Sequence, residues 1–254
     1  MTERPAHFTA IDGGFQPTAY AHSHWGEDHL NGPAVVGLAA RALELDHGSP
    51  DFLPARLTVD LFRAARGVTT TIATRLVRDG NRVRNAECDV LQAGLAVAHA
   101  TMVSYRRSAP PPGEEWRSTT EFGYPDGPLP GPDEFTGPYV ASEGLGWTRA
   151  IVEHQNAERT RFLDRPIDVV AGEQNTPFVR AVMLAESTSL VTNVGTLTQP
   201  GVTRANFGLP APTKPPQLFS FVWFSLIGTA ITMSMGLICS RRRAASKRME
   251  SRQN

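Results

Sequence analysis

"HLNGPAVVGLAARALELDHG", residues 29–48, reads as a buried helix with both ends marked. Asn31 or Gly32 can cap its start, Pro33 suits the first turn, where a missing N–H costs nothing, and Gly48 marks the stop. Val35, Leu38, Ala39, Ala42 and Leu43 recur at helical spacing and so share one apolar face. That face needs a partner layer, and the next sixty residues supply one.

Four strand candidates follow. "RLTVDLF" alternates Leu57, Val59 and Leu61 with polar neighbours, and "VTTTIATRLV", residues 68–77, is rich in β-branched residues. "RVRNAECDVL", residues 82–91, and "LAVAHATMVSY", residues 95–105, complete the set. Short turn signals at Asp79–Asn81 and Gln92–Gly94 favour antiparallel hairpins. A helix followed by such a meander predicts an α+β layer in which an antiparallel sheet wraps a central helix.

The chain has 254 residues, 41% hydrophobic and 20% charged, which suits one large or two small globular domains. Its zero net charge hides an asymmetry. After Ser240 six basic residues face Glu250 alone; with 25 charges of each sign in the chain, the rest holds 19 basic and 24 acidic residues. An acidic body argues against nucleic acid as the main partner. Two cysteines, Cys88 and Cys239, cannot build a disulfide framework, and the N-terminus lacks the apolar stretch of a signal peptide.

Residues 109–138 hold eight prolines and read as an extended linker. Beyond it, "GWTRAIVEH" predicts a strand and "TPFVRAVMLAESTS" a second helix. In that helix Thr176 caps, Pro177 takes the first position, and Phe178, Ala181, Val182 and Ala185 form the buried face. Strand and capped helix repeat the order of the first half.

These stretches together resemble the acyl-CoA thioesterase II family, whose members carry two hotdog units in one chain. The matching text is "HLNGPAVVGLAARALE", "LVRDGNRVRNAECDVLQAGLAVAHATMVSY" and "VVAGEQNTPFVRAVMLAESTSLVTNVGT", covering about residues 8–105 and 165–198. The resemblance implies a first hotdog unit over 1–107, a Pro-rich linker over 108–138 and a partial second unit over 139–200. A linker over 201–217, an apolar run over 218–239 and a basic tail over 240–254 follow. It also implies an acyl-CoA ligand, a homo-oligomer, and neither metal nor cofactor.

Where the family places a catalytic aspartate on its second helix, this chain has Glu186, a carboxylate with one more methylene. The N-terminal end of a buried helix presents unpaired N–H groups that can polarise a thioester carbonyl, which makes Gly32 an oxyanion candidate. His29 and Asn31 are expected to shape the loop entering that helix. In the first helix the position equivalent to Glu186 is Ala42, and Glu44 is expected to face solvent. After residue 198 the text "QPGVTRANFGLPAPTKPPQ" matches neither the threonine nor the glutamine of the family's trio. Three readings follow: an acyl-CoA thioesterase using a carboxylate-activated water, a non-catalytic acyl-CoA-binding or membrane-tethered protein that has lost catalytic residues, or a membrane protein whose hotdog unit mainly mediates self-association.

Other signals are weaker. His22, His24 and His29 near Glu27 and Asp28 fit no familiar zinc spacing. No G-x-S-x-G elbow or phosphate-binding glycine loop occurs. Cys88 reads as a small core residue, and Arg82 with Arg84 as a solvated face in preference to a coenzyme A phosphate contact.

Leu218–Cys239 is 22 residues without a charge, about 33 Å as a helix against a bilayer core of about 30 Å. Gly228, Thr232 and Gly236 recur every four residues, a face on which two such helices can pack. A C-terminal transmembrane helix is the leading expectation, with the body cytoplasmic and the protein single-pass. The rivals are a displaced β-hairpin and a wholly cytoplasmic chain. Basic flanks prefer the cytoplasmic side, which conflicts with that topology.

Overall fold

The structure, a computed structural model, describes residues 4–23, 26, 28–109, 112–113, 123–127, 137–154 and 160–188. The predicted helix is α1, Gly32–His47. The Asn31 side-chain oxygen accepts from the Ala34 N–H at 2.8 Å, satisfying a donor that the first turn leaves over. Leu38, Ala39 and Leu43 are fully buried, each large aliphatic contributing roughly 1.5–3 kcal/mol by leaving water.

A four-stranded antiparallel sheet packs on α1, built from β3 (Phe52–Leu61), β4 (Thr71–Asp79), β5 (Val83–Gln92) and β6 (Leu95–Arg106). Strand alternation aims Ala86, Cys88 and Val90 of β5 into the core with Ala98, Ala100 and Met102 of β6. The two predicted hairpins form, β4 with β5 and β5 with β6. The meander does not extend to β3, which pairs with β6 and gives the order β3-β6-β5-β4. The reason lies in residues 62–70. There the Phe62 N–H donates to Val97 O at 2.9 Å and the Leu30 N–H to Ala65 O at 2.8 Å, holding the connection so that β4 starts on the far side of β5.

Two further strands precede α1. β1 (Ala6–Ile11) and β2 (Gly14–Pro17) form a hairpin whose turn needs Gly13 at φ +78°, in the left-handed region glycine enters freely. Phe15 and Thr70 exchange both backbone bonds, at 2.8 and 2.9 Å, and so join β2 to the start of β4. Around α1 this is the hotdog arrangement.

The later residues give a small sheet of β7 (Tyr139–Ser142), β8 (Leu145–Thr148) and β9 (Thr160–Leu163), then β10 (Asp168–Val170) and α2 (Pro177–Glu186). The strand expected over "GWTRAIVEH" stops at Thr148, and Ile151–His154 is a short 3-10 helix. Fully buried His154 draws the chain inward there, its ring bonded at 3.0 Å to Ser142 Oγ and at 3.0 Å to Thr148 Oγ1. β10 pairs in parallel with β1, Ala6 opposite Asp168 and Phe8 opposite Val170.

α2 runs antiparallel to α1. At one end Thr176 Oγ1 donates to Glu44 Oε2 at 2.5 Å, and at the other Glu186 meets Gly32. Glu44 therefore does not simply face solvent as its sequence position suggested; the packing of α2 gives it a partner. Midway, a Cβ on Gly37 would lie 2.9 Å from Val169 Cγ2 and 3.1 Å from Met183 Cγ, so the missing side chain lets these elements close on α1. Among the described residues no helix is long and apolar enough to cross a membrane. Leu218–Cys239, expected to be a transmembrane helix, lies outside the described residues, as do the basic tail and residues 189–198.

Candidate active site

The site is built where the first turn of α1 meets the last turn of α2. Asn31 fixes the start of α1 from three directions. Its side-chain oxygen caps the helix, its Nδ2 donates to Tyr20 O at 3.0 Å, and its backbone N–H donates to Ala21 O at 2.8 Å. Gly32 follows, and its N–H is among the helix-start donors without an intrahelical acceptor.

Thr176 caps α2, its Oγ1 accepting from the Val179 N–H at 3.2 Å, and Pro177 opens the first turn. From Val179, steps of four and three residues reach Met183 and Glu186, so all three share a face. Val179 and Met183 are 2% and 1% exposed, and the same face carries Glu186 against α1; this is not the face expected from the sequence, since Ala181 and Ala185 are exposed and Phe178 and Val182 only half-buried. A Cβ on Gly32 would stand 1.8 Å from Glu186 Oε1 and 2.5 Å from its Cδ. The carboxyl group thus fills the space that any side chain at residue 32 would need.

Burial raises the Glu186 carboxyl from its ordinary 4.5 to about 7. The positive end of α1 favours the charged form, yet loss of hydration outweighs it. A carboxyl that titrates near neutrality beside a helix-start N–H combines a base with an oxyanion donor.

A cleft of about 210 Å³ opens beside this junction, lined in part by His7, Asn31, Pro33, Asp164, Met183 and Ser187; it is bounded by the chain neighbours of Gly32 and Glu186 and not by those two residues themselves. His7 is buried, and its Nδ1 lies 3.1 Å from Tyr20 O. Burial lowers its pKa to about 4, only partly offset by the bond to Tyr20, so the ring is neutral at physiological pH. Burial also raises Asp164 above the usual carboxylate range, opposed by the Arg165 N–H that donates to its Oδ1 at 2.8 Å.

The structure brings Glu186, Gly32 and Asn31 together. His29 stands apart: it forms an isolated antiparallel bridge with Arg66, and its ring covers Gly26, where a Cβ would be 2.7 Å from Nδ1. It shapes the loop before α1 and does not line the cleft. His7 and Asp164 were not marked by the sequence, because nothing local singles out a histidine at a strand start or an aspartate just after a strand as lining one cleft.

Cys88 is fully buried, and desolvation with the nearby charge of Asp89 pushes its thiol up to about 12. Arg84 donates to Asp79 Oδ1 at 2.8 Å and lies over the Phe52 ring, while Arg82 is exposed. Among the described residues no group of three His, Cys, Asp or Glu side chains is placed to hold a metal; His24 and Glu27 lie outside them.

Residues 21–105 match the family model of the acyl-CoA thioesterase N-terminal domain. Among solved structures, a conserved protein of unknown function with a hot dog fold from Alicyclobacillus acidocaldarius is 20% identical, over 80% of this chain and 71% of its own, with a TM-score of 0.44. The TesB protein of Mycobacterium avium subspecies paratuberculosis is 11% identical over 74% of this chain and 69% of its own, with a TM-score of 0.42. A Bacillus halodurans protein solved with CoA is 15% identical over 36% of this chain and 63% of its own, with a TM-score of 0.32; the chain thus spans under two thirds of that protein. No curated protein matches the chain.

Proposed function

We propose, for a thioesterase II-like chain whose residues 21–105 match the acyl-CoA thioesterase N-terminal domain, that the junction of α1 and α2 hydrolyses an acyl-CoA thioester. The observation that carries this reading is the apposition of Glu186 and Gly32. In its ionised form Glu186 takes a proton from water as the water oxygen attacks the thioester carbonyl carbon. Negative charge develops on the carbonyl oxygen, and the Gly32 N–H stabilises it at the positive end of α1. Collapse of the tetrahedral intermediate breaks the carbon–sulfur bond, and the proton held by Glu186 returns to the departing thiolate. The products are the free acid and the coenzyme A thiol. Thiol release that disappears in Glu186→Gln while acyl-CoA binding persists is the test.

The second reading is a non-catalytic acyl-CoA-binding protein. It is favoured by the text after residue 198, which matches neither the threonine nor the glutamine of the family's trio. It predicts acyl-CoA affinity with no thiol release above background.

The length and charge-free composition of Leu218–Cys239 support a bilayer anchor for the body, with the small-residue face of Gly228, Thr232 and Gly236 as the surface on which two chains pair. An anchored thioesterase would act on acyl-CoA near the membrane.

A further inference from the structure

The cleft beside Gly32 contains a buried acceptor that the hydrolytic reading does not use. Tyr20 O can only accept, so the hydrogen of His7 sits on Nδ1, 3.1 Å away, and Nε2 keeps its lone pair. His7 is 5% exposed and lines the cleft, and among the described residues no donor meets its Nε2. Nor is that atom sealed off: among the described residues the unbonded side-chain atoms closed to solvent are His47 Nε2 and Asn85 Oδ1.

Tyr20 O receives a second donor, Asn31 Nδ2 at 3.0 Å. One carbonyl thus fixes both the imidazole and the cap that aims the Gly32 N–H, so His7 Nε2 stands in a set relation to the oxyanion donor. An acceptor on a nearly buried side chain meets little water, and a ligand donor aligned with it supplies a directed bond in its place.

We infer that His7 is a hydrogen-bond acceptor for the bound thioester, its Nε2 receiving an N–H or O–H that lies a few bonds from the scissile carbon–sulfur bond. Two groups of an acyl-CoA meet that description, the pantetheine amide on the thiol side and a 3-hydroxyl on the acyl side. The inference rests on the thioester reading of the site. A neutral ring held in one tautomer accepts and does not donate, so the cleft favours ligands with a donor over those with a carboxylate in that position. The low pKa of His7 keeps the ring in this state at neutral pH.

The test uses the full chain with His7→Asn and His7→Gln. The asparagine amide can replace Nδ1 toward Tyr20 but does not reach the position of Nε2, whereas glutamine reaches it. Affinities are measured for an acyl-CoA, its 3-hydroxyacyl counterpart, an S-acyl-N-acetylcysteamine and the analogue of the last in which an ester oxygen replaces the amide N–H. His7→Asn is expected to weaken binding about tenfold for ligands carrying the donor and to leave those without it unchanged, with most of the loss recovered in His7→Gln. Loss across the amide and ester pair identifies pantetheine; loss across the hydroxyl pair identifies the acyl group. A folded His7→Asn that binds all four as the wild type does overturns the inference. If His7→Asn does not fold, equal wild-type affinity within both ligand pairs overturns it instead. Wild-type protein that binds no thioester overturns the functional reading itself, and this inference with it.

Discussion

The Glu186 carboxyl lies where a side chain on Gly32 would have to go, with Oε1 1.8 Å and Cδ 2.5 Å from the position of that missing Cβ. The glycine is required there by space and not by backbone conformation. Gly32→Ala is therefore expected to push Glu186 aside. The displaced group is the end of a flexible side chain, so stability should change by no more than about 1–2 kcal/mol. Catalysis should suffer more, since moving a base by about 1 Å costs on the order of a hundredfold. Thiol-release rates and urea midpoints measured on the same samples separate the two effects.

For Glu186 the pH dependences of rate and of its contribution to stability should have opposite signs. Hydrolysis needs the Glu186 carboxylate, so with a pKa of about 7 the rate should rise through neutrality and reach half its limit there. Between 4.5 and about 7 the folded state holds a proton on Glu186 that the unfolded chain releases, so this group's contribution to stability falls as pH rises through that window. His7 acts the other way. Its folded value of about 4 lies below 6.5, the unfolded chain binds the extra proton, and stability rises with pH between those values. Glu186→Gln removes only the first term. Thermal melts should show the variant matching the wild type near pH 4 and exceeding it near pH 8 by up to about 3 kcal/mol.

Gly37 allows α2 and β10 to approach α1. Alanine there gains about 1 kcal/mol of helix propensity but forces a Cβ to 2.9 Å from Val169 Cγ2 and 3.1 Å from Met183 Cγ. Overpacking costs about 1–3 kcal/mol, and stiff, fully buried Val169 has little room to yield, so overpacking should prevail. The expected result for Gly37→Ala is a lower urea midpoint with an unchanged slope.

If Leu218–Cys239 anchors the protein, the full chain should sediment with phospholipid vesicles and resist extraction by high salt. Ile227→Arg, a charge at the middle of the run, should release it. Equal partition of the two chains would remove the anchor from the account.

Local chemistry was legible in the sequence, and tertiary placement was not. Thr176 and one of Asn31 and Gly32 read as helix caps, and the side chains of Thr176 and Asn31 accept from Val179 and Ala34, because capping depends only on the next few residues. The turns after β4 and β5 were legible for the same reason. The β1–β2 hairpin escaped, since its alternation is weak and only the Asp12–Gly13 pair signals a turn. The pairing of β3 with β6, the bond from Thr176 to Glu44 and the joint placement of His7 and Asp164 depend on which segments meet across the fold, and spacing along the chain does not encode that. Glu186 was reached through resemblance, and only the geometry supplies its contact with Gly32.

Thiol release from acyl-CoA across chain lengths, comparing wild type with Glu186→Gln while binding is followed in parallel, decides whether Glu186 activates the attacking water. The wild type should release thiol, the variant should lose at least about a hundredfold in rate, and the two affinities should stay within a few-fold of each other if Glu186 has that role. Equal rates in the two proteins, or acyl-CoA binding by the wild type with no thiol released, would contradict it.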